Sequence, residues 1–117
     1  MLNKKENNGN VYSHNLVASG TKITGNLDAD TDIRIDGEIQ GDLSCSNKVI
    51  VGTSGLIVGN INCVSVDIMG SIEGTISAAD NVSMKATSNI KGDIRTKVIA
   101  IEPGAHFVGN CKTNSQE

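Results

Sequence analysis

Two cysteines, Cys45 and Cys63, are the residues of this chain whose type and spacing first suggest chemistry. Each of them follows a glycine of a recurring pattern at the same short distance, so we expect them to be neighbours in space. Two neighbouring thiols can form a disulfide or supply half of a metal site. However, Ala29, Ala78 and Thr96 occupy the same position in other copies of the pattern, and no His or acidic residue joins them. We therefore interpret the set as a column of small buried side chains with free thiols.

The two histidines are the other candidates for chemistry. His14 precedes the repeated pattern, and alternation within the last copy directs His106 outward. A catalytic base needs an oriented partner and a pocket, which neither position supplies. The sequence also lacks a Gly-Lys-Ser/Thr phosphate loop, a dinucleotide fingerprint, a Cys-x-x-Cys pair and a His-Glu-x-x-His helix. We predict no catalytic residue, no cofactor and no metal site, and hence a protein that is not an enzyme.

The element that must position these residues is a short pattern, apolar-x-Gly-x-apolar, that recurs six times. The copies are 23–27, 39–43, 57–61, 72–76, 90–94 and 107–111, and their central glycines recur at nearly, but not strictly, even intervals. The apolar spacing has period two, which is typical of a strand, and a near-constant short repeat is typical of a solenoid. We predict a single all-β domain, a parallel β-helix over residues 17–111 with about six windings of three short strands. Disordered tails are expected at 1–16 and 112–117.

The composition agrees with a narrow solenoid and restricts the classes of function. The 117 residues include one Phe, one Tyr, no Trp and 13 Gly, so the core must be aliphatic. A formal net charge of −3 argues against a nucleic-acid-binding protein, which would be expected to carry a basic face. The sequence has no apolar run long enough to span a bilayer and no visible signal peptide, so we expect a cytoplasmic protein.

The two ends of such a rod are the candidate functional surfaces. Each end rung presents unpaired backbone groups and an open apolar column, which form a template for another chain unless they are capped. Phe107 stands where the other five copies carry Ile, and it is either the plate of an end interface or an inward plug. We predict end-to-end polymerisation without nucleotide. The predicted C-terminal interface is Ile99, Ile101, Phe107, Val108 and Cys111, and the N-terminal interface is Val17, Ile23 and Leu27.

The first five residues suggest a second surface. Met1 and Leu2 form a small apolar anchor beside Lys4 and Lys5. Each lysine contributes only about 1 kcal/mol near an anionic membrane, so a single copy would bind weakly. Many copies on a polymer would bind well through effective concentration. We predict a membrane-targeting peptide, with a free solubilising tail as the alternative.

The segment from Gly20-Thr21-Lys22-Ile23-Thr24-Gly25 through the repeated copies to Gly109-Asn110 resembles the bactofilins, and the resemblance covers residues 17–111. It implies a bacterial cytoskeletal protein with a right-handed β-helix that forms non-polar filaments without nucleotide. It also implies a C-terminal Phe matching Phe107, a membrane-targeting N-terminus, and a role in positioning cell-wall-modifying enzymes. The long proline- or lysine-rich tail of some members is missing here.

Two other classes remain open from the residues alone. Left-handed β-helix acyltransferases share the solenoid architecture, but they carry a regular aliphatic hexad and a constant turn length. The turns of this chain vary in length and show no steady hexad, which departs from that pattern. Such an enzyme would be a discrete trimer with a cofactor-dependent activity. A monomeric adaptor solenoid, which binds a partner along one flank, is the third class.

Overall fold

The computed structural model describes residues 14–113 and shows an all-β chain whose strand pairings are all parallel within that range. Alternating aliphatic residues form the strands, and Gly, Asn, Asp, Ser and Thr occupy the turns between them. The strands are β1 (His14–Val17), β2 (Lys22–Thr24), β3 (Leu27–Ala29), β4 (Asp32–Ile35), β5 (Glu38–Gln40), β6 (Leu43–Cys45), β7 (Lys48–Val51), β8 (Leu56–Val58), β9 (Ile61–Ile68), β10 (Ser71–Met84), β11 (Asn89–Ile101) and β12 (His106–Thr113).

Each winding of the chain contributes one strand segment to each of three faces, and we number the six windings as rungs from the N-terminus. Face A consists of 14–17, 32–35, 48–51, 65–68, 81–84 and 98–101. Face B consists of 22–24, 38–40, 56–58, 71–73, 89–91 and 106–108. Face C consists of 27–29, 43–45, 61–63, 76–78, 94–96 and 111–113. The longer strands β9 to β12 bend through corners and serve more than one face.

The core is a set of aliphatic columns that run along the rod axis. On face B the parallel register stacks Ile39, Ile57, Ile72 and Ile90 directly over one another, and all four are fully buried. Equivalent columns fill the insides of the other two faces, where Val, Ile, Leu and one Met are buried. Because each turn encloses a narrow space, branched aliphatic side chains fill it without aromatic residues.

The corner between faces B and C depends on the repeated glycine. All six glycines of the pattern have positive φ, between 129° and 148°. From Gly41 onward each also lies against the glycine of the rung below; a Cβ at Gly41 would collide with the carbonyl oxygen of Gly25. The pattern therefore requires glycine for its backbone conformation and, after the first rung, for the close approach of stacked corners.

The predicted all-β parallel solenoid of about six windings is confirmed, and its right-handed sense stays a prediction. The structure moves the domain boundaries outward. β1 begins at His14, inside the predicted tail, because 14–17 pairs with Asp32–Ile35. β12 continues through Lys112 and Thr113, which pair with Arg95 and Thr96. Parallel pairing with the neighbouring rung orders these residues despite their polar character. The rest of both predicted tails lies outside the described residues.

Candidate functional site

The C-terminal rung carries the core columns to the end of the described rod. Phe107 lies over Ile90 on face B, and Cys111 lies over Ile94 on face C. Ile101 continues the column of Met84 on face A and is 53 % exposed. Within residues 14–113 no strand pairs with the outer edge of this rung. Its backbone N–H and C=O groups and its apolar column together form a surface suited to pairing with another chain.

Phe107 combines the two roles that the sequence left open. It packs against the core cluster with one part of its ring, as an inward plug would, and it remains only partly buried. A ring at the top of a column of isoleucines covers more apolar area than Ile would, and its outer side is still open to solvent. The geometry therefore makes Phe107 both a cover for Ile90 and a candidate contact for a second copy.

The other predicted C-terminal residues fall into two groups. Ile99 is half-buried against the core, and Cys111 is exposed at the end of its column. Val108 pairs with Lys91 and points away from the core, so that it lies on the flank of the last rung with 67 % of its surface exposed. Val108 would border an end-to-end contact, whereas Ile101 and Phe107 would lie within it.

The N-terminal rung places the three predicted residues on two kinds of surface. Ile23 and Leu27 are half-buried against the core, so each keeps apolar surface for a contact. Val17 is only 7 % exposed, because it stacks on Ile35, and it serves the core more than a surface. Met1, Leu2, Lys4 and Lys5 lie outside the described residues. In the described part of the chain no helix is long and apolar enough to cross a membrane.

The cysteine column is confirmed by the strand register. Ala29 pairs with Cys45, and Cys63 pairs with Ala78, which pairs in turn with Thr96. Cys45 and Cys63 are free and buried. Burial raises the pKa of the Cys63 thiol to about 12, and the neighbouring Cys45 acts in the same direction. Both thiols thus stay protonated near neutral pH and behave as small apolar side chains.

Burial also raises the pKa of Cys45 above its ordinary value, although a hydrogen bond from the Asn47 backbone N–H opposes this and Asp32 adds to it. Between residues 14 and 113, no group of three or more His, Cys, Asp or Glu is placed to hold a metal ion. His106 is exposed on the last rung. Cys45 and Cys63 are therefore components of the core, and His106 is a surface group.

Four of the six side chains that follow a repeated glycine have a role that sequence reasoning missed. Asn and Asp at a corner commonly hydrogen-bond the backbone of their own turn. Instead, Asn26 Oδ1 accepts a hydrogen bond from the Asp42 backbone N–H, 3.1 Å away on the next rung, and Asp42 Oδ1 accepts one from the Asn60 N–H at 3.1 Å. Asn60 and Asp93 repeat the contact further along the rod. The recurrence of Asn and Asp at one position was the available signal.

These observations define the class: a parallel β-solenoid protein whose apolar core reaches an unpaired terminal rung within the described residues. Comparison with known proteins agrees. Residues 15–112 match the family model described as bactofilin, polymer-forming cytoskeletal. Bactofilin BacO of Myxococcus xanthus is 31% identical over 107 residues, which cover 92% of this chain and 85% of that protein. Bactofilin BacP of the same organism is 31% identical over 80% of this chain, but the match spans only 39% of BacP.

A solved structure shows the same fold. An arginine-for-phenylalanine mutant of a bactofilin from Thermus thermophilus superposes with a TM-score of 0.72 at 24% identity, covering 78% of this chain and all of that one. The chain belongs to the bactofilin family, whose members are polymer-forming cytoskeletal proteins.

Proposed function

We propose that this protein is a cytoskeletal scaffold that assembles end to end into non-polar filaments without nucleotide and without enzymatic activity. The observation that carries the proposal is the last rung, where Ile101 and Phe107 continue the buried columns into an open end. An apolar column that ends exposed is stabilised when a second copy covers it. Membership in a polymer-forming family supports the same conclusion.

The non-polar arrangement has a simple physical form. If like ends meet, each junction is an isologous contact, in which the same patch of two copies is self-complementary. The C-terminal junction would bury Phe107 against a second C-terminal rung, and the N-terminal junction would use Ile23 and Leu27. Such junctions need only the protein itself, and the sequence contains no phosphate loop that would couple assembly to a nucleotide.

We place these filaments at the inner face of the cytoplasmic membrane, where they position cell-wall-modifying enzymes or other morphogenetic proteins. Met1, Leu2, Lys4 and Lys5 supply the proposed membrane contact. Because a filament displays many copies of this peptide, weak binding of each one adds up through effective concentration. Vesicles containing an anionic lipid should therefore carry the filaments upward in a flotation gradient, whereas filaments of a variant with Lys4 and Lys5 changed to Glu should stay at the bottom.

The first experiment is negative-stain electron microscopy of the purified full chain in plain buffer, without nucleotide or metal. We expect filaments a few nanometres wide, with a width that does not change on adding ATP or GTP. Uniform small particles would contradict the proposal. Trimers with a cofactor-dependent activity would then favour an acyltransferase-like enzyme, and monomers would favour an adaptor solenoid.

A further inference from the structure

The charges of this rod are distributed unevenly along its axis. Residues 14–80, which form the first four rungs, include nine acidic and three basic side chains, whereas residues 81–113 include two acidic and five basic ones. The change from acidic to basic side chains along the rod is sharpest on face C and on the corner that follows it. Asp28 and Asp30 lie on rung one, and Arg95 and Lys97 lie on rung five. This face is acidic near one end and basic near the other.

Between the charged ends, face C carries only small or uncharged side chains. Parallel register aligns one outward column of six side chains, Asp28, Ser44, Asn62, Ser77, Arg95 and Lys112. The corner beside it, between rungs one and five, carries small or uncharged residues, the exposed Val64 and one acidic residue, Asp80 on rung four. Two shallow depressions run along this surface, lined by Asp28, Asp30, Ser44, Ser46 and Val64 in one case and by Asn62, Ser77, Ala79, Arg95 and Lys97 in the other. A flat, shallow trough of this kind suits another flat β-sheet face.

Asp28 and Arg95 on face C, and Asp30 and Lys97 on the corner beside it, form no ion pair among the described residues. Within residues 14–113 the ion pairs are Arg34–Asp36, Lys48–Asp67 and Lys85–Glu102, none of which lies on face C. Asp28 and Arg95 are separated by four rungs, or about 19 Å, so they cannot reach each other within one chain. Asp28 and Arg95 can therefore pair with each other only across a contact between two copies.

We propose that face C binds face C of a second copy of this chain, with the two rods side by side and antiparallel. The two-fold axis lies between the two faces and runs along the strand of rung three, past Asn62 and Val64. Its position determines which rungs of the two copies face each other. Rung one then faces rung five, so that Asp28 lies opposite Arg95 and Asp30 lies opposite Lys97, and each pair occurs twice. Val64, which is 39 % exposed, meets its symmetry mate at the axis. Such an isologous contact is self-complementary in charge.

The charges also disfavour the other arrangements. Parallel rods would place Asp28 of one copy beside Asp28 of the other. Shifting the antiparallel register by one rung, so that rung one faces rung six, would pair Asp28 with Lys112, but it would leave Arg95 and Lys97 without acidic partners and place Asp42 opposite Asp93. In the proposed register Asp42 faces Thr75, and no like charges of this surface oppose each other. Opposite-charge pairing together with the avoidance of like-charge contacts therefore favours one direction and one register.

This contact is lateral, and so it is distinct from the proposed end-to-end junctions. Five rungs of one face measure about 24 by 10 Å, which is small compared with the roughly 800 Å² per partner of a standard stable interface. We expect a weak pairing of single rods that becomes strong when rods are joined in filaments, because many contacts then act together. Disulfide cross-linking, which captures transient contacts covalently, can detect a contact this weak.

Val64→Cys tests the axis, with Val58→Cys as its matched control. Val58 lies on the same rung and is 37 % exposed, but it belongs to face B. Both variants carry Cys111→Ser to remove the exposed native thiol. Under mild oxidation in low salt, we expect Val64→Cys to form disulfide-linked dimers with an initial rate at least about tenfold above that of Val58→Cys, because only face C brings the two thiols together. Equal rates would overturn the proposal.

Charge reversal tests the register. Adding Arg95→Asp to Val64→Cys sets carboxylates opposite Asp28 and should lower the trapping rate by about fivefold or more. The further change Asp28→Arg restores opposite charges and should restore the rate. Lys91→Asp, the same charge change on face B of the same rung, should leave it unaltered. Failure of the double exchange to restore trapping would refute the proposed register. Trapping is scored on gels whether or not filaments are seen by microscopy, so the two proposals succeed or fail separately.

Discussion

Asp42 on rung two accepts a hydrogen bond from the backbone N–H of Asn60 on rung three, with 3.1 Å between carboxylate oxygen and nitrogen. The contact joins successive windings at the glycine corner, where the strands of faces B and C meet. Asn26, Asn60 and Asp93 make the same contact to the next rung. The corners of the solenoid are thus linked by side chains as well as by the backbone.

Removing one of these links should destabilise the fold modestly. We expect Asp42→Ala to lower the free energy of unfolding by about 0.5–1.5 kcal/mol, the usual net contribution of one hydrogen bond. Asp42→Asn keeps an acceptor oxygen, as Asn26 and Asn60 do in the same ladder, and should cost less than half as much. Urea denaturation of the two variants, in conditions that prevent assembly, measures the difference. Equal losses would mean that the hydrogen bond does not contribute.

The glycine corners give a second comparison. Gly25 and Gly74 both have positive φ, but a Cβ at Gly74 would collide with the carbonyl of Gly59, whereas the space around Gly25 is open. We expect Gly25→Ala to cost about 1–2 kcal/mol for its backbone conformation alone. Gly74→Ala adds the collision and should cost clearly more, up to loss of folding. Thermal unfolding followed by circular dichroism distinguishes them. If the two costs were the same, stacking of the corners would not be what requires glycine.

Phe107→Arg should disperse filaments while the chain remains folded. Phe107 is only partly buried at the open end, so an arginine there can extend into solvent, but it would place a charge in each C-terminal junction. Sedimentation should show the loss of polymer, and circular dichroism should be unchanged. Val58→Arg adds the same charge to an exposed valine on the flank of rung three and should leave the filaments in place.

Ile61→Lys should also abolish filaments, but in this case because the chain no longer folds. Ile61 is 1 % exposed in the middle of the rod, so the substitution removes roughly 1.5–3 kcal/mol of aliphatic burial and places a charge in the core. We expect the sheet signal to be lost together with the filaments. A folded Ile61→Lys protein would contradict the assignment of this column to the interior.

Burial of Cys63 predicts a pH dependence. Because the pKa of this thiol is raised from 9.0 to about 12 in the folded chain, the unfolded chain loses its proton first as pH rises. The corresponding contribution to stability is complete below pH 9 and is lost progressively between about pH 9 and 12. The unfolding free energy of the native chain should therefore fall more steeply over this range than that of Cys63→Ala. Parallel curves would indicate that Cys63 is accessible.

Thiol labelling gives an independent measure of the same burial. At pH 8, in conditions that prevent assembly, Cys111 should react with a thiol reagent at the rate of an exposed cysteine, while Cys45 and Cys63 should react only after unfolding. Mass spectrometry of the labelled peptides identifies which thiols have reacted.

The repeated copies determined much of the architecture from local pattern alone. Ile57 and Ile61 flank Gly59 with period two, and that spacing is a property of consecutive residues in a strand. Repetition of this five-residue pattern along the chain accounts for three features of the fold. These are the inward columns, the number of windings and the position of Cys63 beside Ala78. The open end at Phe107 was also visible as a departure from the pattern in its last copy.

Only the tertiary structure decided how successive rungs align, because turn lengths vary and the register depends on pairings between distant residues. It placed His14 and Thr113 in strands through their partners on neighbouring rungs. It directed Asp42 to Asn60 instead of to its own turn. It also brought Asp28 and Arg95, which are far apart in the chain, into one surface column. A pattern of charge on one face arises only when the windings stack, so it could not be predicted from neighbouring residues in the sequence.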